Sequence, residues 1–176
     1  MNKQALFICN ILILACALAC TNNSNRSTAS KAAVIGSLHF NKSEGKDCNL
    51  PDSLRTNCAS INLIWPNVED SPEPLKKSVV GWTNQFLVGI LLPVSDDSTA
   101  TAATVEQAAR SFFQMHQEFA KEAPDAPLGH FIAESEYRTL LNDGKHLTLE
   151  MTGFVYAGGA HGNPVASVAT FENHTG

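Results

Sequence analysis

The last third of the chain constrains the fold most. From Gly129 onward the apolar residues recur at every second position, the period of a strand with one buried face. Phe131, Ala133, Tyr137 and Leu141 point one way, and Glu134, Glu136 and Arg138 the other. The segment Asn142-Asp143-Gly144-Lys145 reads as a hairpin turn, because Asp and Gly tolerate positive φ. The return strand alternates Leu147, Leu149, Met151 and Val155 against Thr148, Glu150 and Thr152. A second turn over residues 158–164 leads into a third strand over residues 165–171. Such an antiparallel meander has one apolar face, and that face needs a cover.

Two helices between residues 71 and 124 supply it. Ser71-Pro72 has the form of an N-cap followed by proline at the first helical position. Leu75, Val79, Trp82, Phe86 and Ile90 then follow at spacings of three or four, while Gly81 and Gly89 weaken that helix. A loop over residues 95–103 separates it from a second helix. There Thr104 and Gln107 fit a capping box, Val105, Ala108, Ala109, Phe112, Met115 and Phe119 form one stripe, and Pro124 ends it. Upstream, Ala59, Ile61, Leu63 and Trp65 alternate with Ser60, Asn62 and Ile64, and Pro66-Asn67 predicts a stop. A weaker strand over residues 33–40 would pair with it across a cysteine-containing loop. The expected architecture is α+β: two helices packed on one face of an antiparallel sheet with a C-terminal β-meander.

The N-terminus reads as a signal for export. Lys3 precedes an apolar run over residues 5–19, short for a membrane span and suited to a signal peptide. The run ends in Ala17-Leu18-Ala19-Cys20, which resembles the lipobox of bacterial lipoproteins and makes Cys20 the expected lipidation site. Cys16 is the competing site, and an ordinary cleaved signal peptide the alternative. The expected layout is a signal peptide at 1–20, a polar tether at 21–32 and one domain at 33–176. The protein would be exported and lipid-anchored to the bacterial envelope, facing the periplasm from the outer membrane in a Gram-negative host. Export places Cys48 and Cys58 in an oxidising compartment, which favours pairing them. Closing so short a loop contributes about 2–3 kcal/mol. The alternative, a two-cysteine metal site, lacks a histidine pair at zinc-finger spacing.

With 44% hydrophobic and 16% charged residues among 176, the chain has the material for a core. Its net charge is −5 and it has no Lys/Arg cluster, so nothing would track a phosphate backbone and no nucleic-acid partner is expected. There is no H-E-x-x-H, G-x-S-x-G, P-loop or G-x-G-x-x-G pattern. Glu134 and Glu136 belong to a solvated strand face rather than to a catalytic pair. His39, His116, His130, His146 and His174 share no spacing and read as surface or satisfied polar residues. No cofactor, metal or catalytic residue is assigned.

One motif stands apart. Tyr156-Ala157-Gly158-Gly159-Ala160-His161-Gly162-Asn163 packs three glycines and a histidine into a turn. Gly158, Gly159, His161, Gly162 and Asn163 are therefore the candidate functional turn. Read structurally, the glycines supply positive φ and close backbone approach, with His161 and Asn163 bonding local backbone groups. Read functionally, His161 presents an imidazole as ligand, base or recognition group.

This turn and its flanking strands resemble the extracytoplasmic domain shared by the anti-sigma factor RsiV and PdaC-like proteins. The segment Cys58-Ala59-Ser60-Ile61-Asn62-Leu63-Ile64-Trp65-Pro66 is similar to an extended segment of that family, and residues 171–176 fit its Phe-x-x-x-Thr-Gly pattern. The resemblance covers residues 33–176 and implies a domain lacking its C-terminal part. It also implies a binding domain facing the cell wall, since deacetylase activity in PdaC-type enzymes resides in a separate domain. The expectation is a non-enzymatic envelope lipoprotein, held on the membrane by its lipid. It would bind a cell-wall component such as peptidoglycan, or a cell-wall-active protein such as lysozyme. A peptidoglycan-modifying enzyme using His161, or an incomplete gene product, is the alternative.

Overall fold

The computed structural model describes residues 31–92, 104–122, 129–173 and 175–176. The leader with Cys16 and Cys20, the tether up to residue 30, the loop between the helices, Pro124 and His174 lie outside the described residues. Five strands and two α-helices follow in the order β1 (Gly36–Glu44), β2 (Asn57–Asn67), α1 (Glu73–Leu91), α2 (Val105–Glu122), β3 (Gly129–Asn142), β4 (His146–Tyr156) and β5 (Asn163–Glu172). They form one sheet in the order β1-β2-β3-β4-β5.

The fold is α+β, with the C-terminal strands β3, β4 and β5 as an antiparallel meander. One junction departs from an all-antiparallel sheet: β2 and β3 run parallel, Ile61 opposite Ala133. The cause is topological. Both helices lie between these two strands in sequence, and a crossover of that length returns the chain in the same direction. β1 is antiparallel to β2, and Cys48 and Cys58 form a disulfide that closes the connection between them.

Both helices lie on one face of the sheet. Their buried residues meet Ala59, Ile61 and Leu63 of β2, Phe131 and Ala133 of β3, and Met151 and Val155 of β4. A second buried cluster joins Leu75 and Val79 of α1 to Leu147, Leu149 and Phe171. The Trp82 indole donates to the Ser167 hydroxyl at 3.0 Å, and its ring meets Phe171 edge-on, tying α1 to β5. At Gly153 the helix comes so close that a Cβ would collide with the Ile90 side chain. Glycine there permits the approach.

The capping box forms as the sequence predicts. The Thr104 backbone N–H donates to the Gln107 side chain at 2.9 Å, and the Gln107 N–H to the Thr104 hydroxyl at 3.3 Å. Ser71 does not cap α1: the residue preceding the helix is Pro72, and the Ser71 hydroxyl is buried without a hydrogen-bond partner among the described residues. The buried stripe of α1 runs through Leu75, Val79, Thr83, Leu87 and Ile90, leaving Trp82 and Phe86 half-buried. On α2 it runs through Phe112, Phe113 and His116, while Met115 is half-buried and Phe119 exposed. Pro66 does not end β2. It pairs opposite Ser37, beyond the last β2–β3 pair, at Leu63, so its missing N–H costs no bond to β3.

Leu141 moves to the other face. A register shift between Thr139 and Leu141 inserts one residue, so Leu141 sits opposite Thr148 and is 43% exposed. A bulge reverses the alternation that would otherwise bury it. Beyond it, Gly144 takes φ +87° and the Asp143 carboxylate accepts from the backbone N–H groups of His146 (2.7 Å) and Lys145 (2.8 Å). Those bonds hold the Asp143 carboxyl below its ordinary range.

Candidate functional site: the open face of the sheet

The helices cover one face, and the register determines what the other presents. Asn62 of β2 lies opposite Glu134 of β3, Glu134 opposite Phe154 of β4, and Glu136 opposite Thr152. These residues line a shallow groove of about 260 Å³ together with Ser135 and Gly153. The Asn41 side-chain amide donates to the Asn62 side-chain oxygen at 3.5 Å, Arg138 pairs with Glu150, and the Thr148 and Thr170 hydroxyls meet at 3.0 Å. The groove therefore sets carboxylates, an amide and a hydroxyl beside the Phe154 ring, and Tyr156 and Val168 share its face of the sheet. Phe154 is 38% exposed.

The glycine turn connects directly to that ring. A Cβ on Gly162 would lie within the Phe154 ring, so the ring rests on bare backbone. Gly158 and Gly159 take φ +87° and +96°, a region that costs a side-chain-bearing residue about 1–2 kcal/mol. The Tyr156 hydroxyl closes the turn by donating to the Gly159 carbonyl at 3.0 Å. The expected local bonds from His161 and Asn163 are not made. Their side chains have no hydrogen bond among the described residues, because Tyr156 fills that role and Asn163 instead opens β5 opposite Val155. His161 is exposed at the turn. The motif thus sets backbone shape and positions Phe154, and among the described residues no second chemical group is bonded to His161.

The remaining histidines divide. His39 and His146 are exposed. His130, half-buried, shares a 2.7 Å hydrogen bond with the Ser60 hydroxyl, and desolvation, then the nearby Arg55 charge, lowers its pKa. His116 is not a satisfied or surface residue: it is 3% exposed, its Nε2 has no partner among the described residues, and it meets the Phe131 ring at 5.0 Å. Burial lowers its pKa, which favours its neutral form within an aromatic cluster. No three His, Cys, Asp or Glu side chains come together as a metal site among the described residues. Nor is any described helix long and apolar enough to cross a membrane.

Sequence reasoning missed Phe154 and Asn62 as site residues. The signal was present. Phe154 places an aromatic on the polar side of β4, where alternation calls for a residue like Thr152.

The arrangement defines a two-layer α+β domain in which, among the described residues, one sheet face is uncovered and the glycine turn forms its rim. Residues 53–164, well over half of the chain, match the family described as Deacetylase PdaC, and the chain belongs to that family. Among solved structures, a DUF3298 family protein from Pseudomonas aeruginosa PAO1 is similar at a TM-score of 0.50 and 14% identity, covering 80% of this chain and 52% of that one. A DUF3298 member from Bacteroides fragilis NCTC 9343 gives 0.47 and 15%, covering 82% of this chain and 58% of that one. The first likeness is one of fold alone. The chain spans little more than half the length of either structure. No curated protein matches the sequence.

Proposed function

We propose that the chain is a non-enzymatic envelope module, exported and anchored through Cys20, that holds a cell-wall glycan on its open sheet face. The observation that carries this reading is the groove itself, with the Phe154 ring beside Asn62, Glu134, Glu136 and Thr152. A sugar ring presents an apolar C–H face, which an aromatic side chain takes, and hydroxyl and amide edges, which carboxylates and side-chain amides take. The family description, a deacetylase, and the lipobox-like leader support an acetylated polysaccharide in the envelope as the ligand.

Co-sedimentation with purified peptidoglycan sacculi tests the reading. Wild-type protein should pellet, and Phe154→Ala or Asn62→Ala should stay in solution while retaining the wild-type circular dichroism spectrum. Equal pelleting of all three, or binding to lysozyme and not to sacculi, contradicts it. Release of acetate by wild type that vanishes in folded His161→Ala restores the enzyme alternative. Palmitate labelling tests the anchor: loss of label in Cys20→Ala supports it, and retained label moves the anchor to Cys16.

A further inference from the structure

The open face repeats itself along the strands. In one row Asn62 on β2 lies across Glu134 from the Phe154 ring on β4, and in the next Ser60 lies across Ile132 from the Tyr156 ring. Ser60 is bonded to the His130 imidazole, so the second row also sets polar groups opposite an aromatic ring. Both rings are placed by glycines. Phe154 rests on the bare backbone of Gly162. Tyr156, half-buried, lies 3.4 Å from where a Gly129 Cβ would stand, and its hydroxyl is tied to the Gly159 carbonyl at 3.0 Å. A ring held in place beforehand gives a ligand contact area without losing rotamer freedom on binding. The two rings stand two residues apart on one face of β4, about 6.6–6.8 Å along the strand.

We infer that the two rings are two sugar subsites, so the ligand is an oligosaccharide of at least two units laid along β4. This rests on the glycan reading above and adds the ligand's length and direction. The first unit takes the Phe154 ring, with Asn62 and Glu134 at its edge. The second, joined through one glycosidic oxygen, reaches Tyr156, with the Ser60 hydroxyl and the His130 imidazole at its edge. Ile132, half-buried, stands where Glu134 stands in the first row, so the second subsite is the less polar one and suits the methyl group of an N-acetyl substituent. The glycine turn then serves both subsites, since Gly159 holds Tyr156 and Gly162 supports Phe154.

Calorimetric titration of the purified chain with N-acetylglucosamine and with the disaccharide N,N′-diacetylchitobiose tests the inference. The disaccharide should bind wild type about tenfold tighter or more. Tyr156→Ala should erase that increment and leave the monosaccharide affinity unchanged, whereas Phe154→Ala should weaken both. Tyr156 also braces the turn, so Ser60→Ala, which leaves β4 and the turn intact, serves as the second variant. It should weaken the disaccharide several-fold, the scale of one hydrogen bond, and spare the monosaccharide. A disaccharide that wild type binds no tighter than the monosaccharide, or losses in Tyr156→Ala and Ser60→Ala that fall equally on both sugars, overturns the second subsite. Continued pelleting with sacculi then leaves the glycan reading standing, and loss of pelleting as well removes both.

Discussion

The two faces of the sheet follow different rules. Under the helices, Phe112, Phe131, Ile61, Leu149 and Met151 are fully buried, and each position is fixed by volume and apolarity. On the open face, Glu134, Glu136, Thr152 and Phe154 are exposed and lie outside the helical core, with only Phe154 packed, on Gly162. The covered face accounts for stability. The open face, free of that duty, is where a ligand's chemistry can be matched.

The largest effect should come from the covered face. Phe112→Ala removes a ring that meets Phe113 and Phe131 edge-on and should cost about 3–5 kcal/mol in chemical denaturation. Gly153→Val comes next, since its side chain must displace Ile90 and Val165; about 1–3 kcal/mol is expected, with α1 shifted off β4. A loss as small as that of a surface substitution would break the contrast between the faces.

A third test is pH. His116 and His130 both have folded-state pKa values below the ordinary imidazole value of 6.5. The unfolded chain then binds more protons, so stability rises with pH. The full contribution is present above about 6.5 and declines as the pH falls through the depressed folded-state values. Melting temperature should therefore drop on acidification below neutral, and His116→Phe should flatten that slope. An unchanged slope would mean that His116 is not buried as described. The smallest effect belongs to His161→Ala, which loses no hydrogen bond and should change stability by less than about 0.5 kcal/mol.

Much of the covered face was legible in the sequence. Alternation in β2, β3 and β4 marks Ile61, Leu63, Phe131, Ala133, Leu147, Leu149 and Met151 as inward-facing because period two admits only one apolar side. What local pattern cannot carry is where the alternation breaks. The bulge at Thr139/Leu141 exposes Leu141 through pairing register, a property of two strands rather than one. His116 lies on the inner side of α2, yet its residue type suggested the surface. The glycine turn was visible as a motif, but its purpose was not. Only the fold shows that Gly162, in the turn before β5, lies beneath Phe154, eight residues away on β4.

Backbone chemical-shift mapping tests the proposed division of ligand binding and stability between the two faces. On titration with soluble muropeptides, amide shifts should concentrate at Asn62, Glu134, Thr152 and Phe154, with Phe112, Leu87 and Leu149 unmoved. Shifts centred on α1 and α2, or saturation unchanged in Phe154→Ala, would contradict the division.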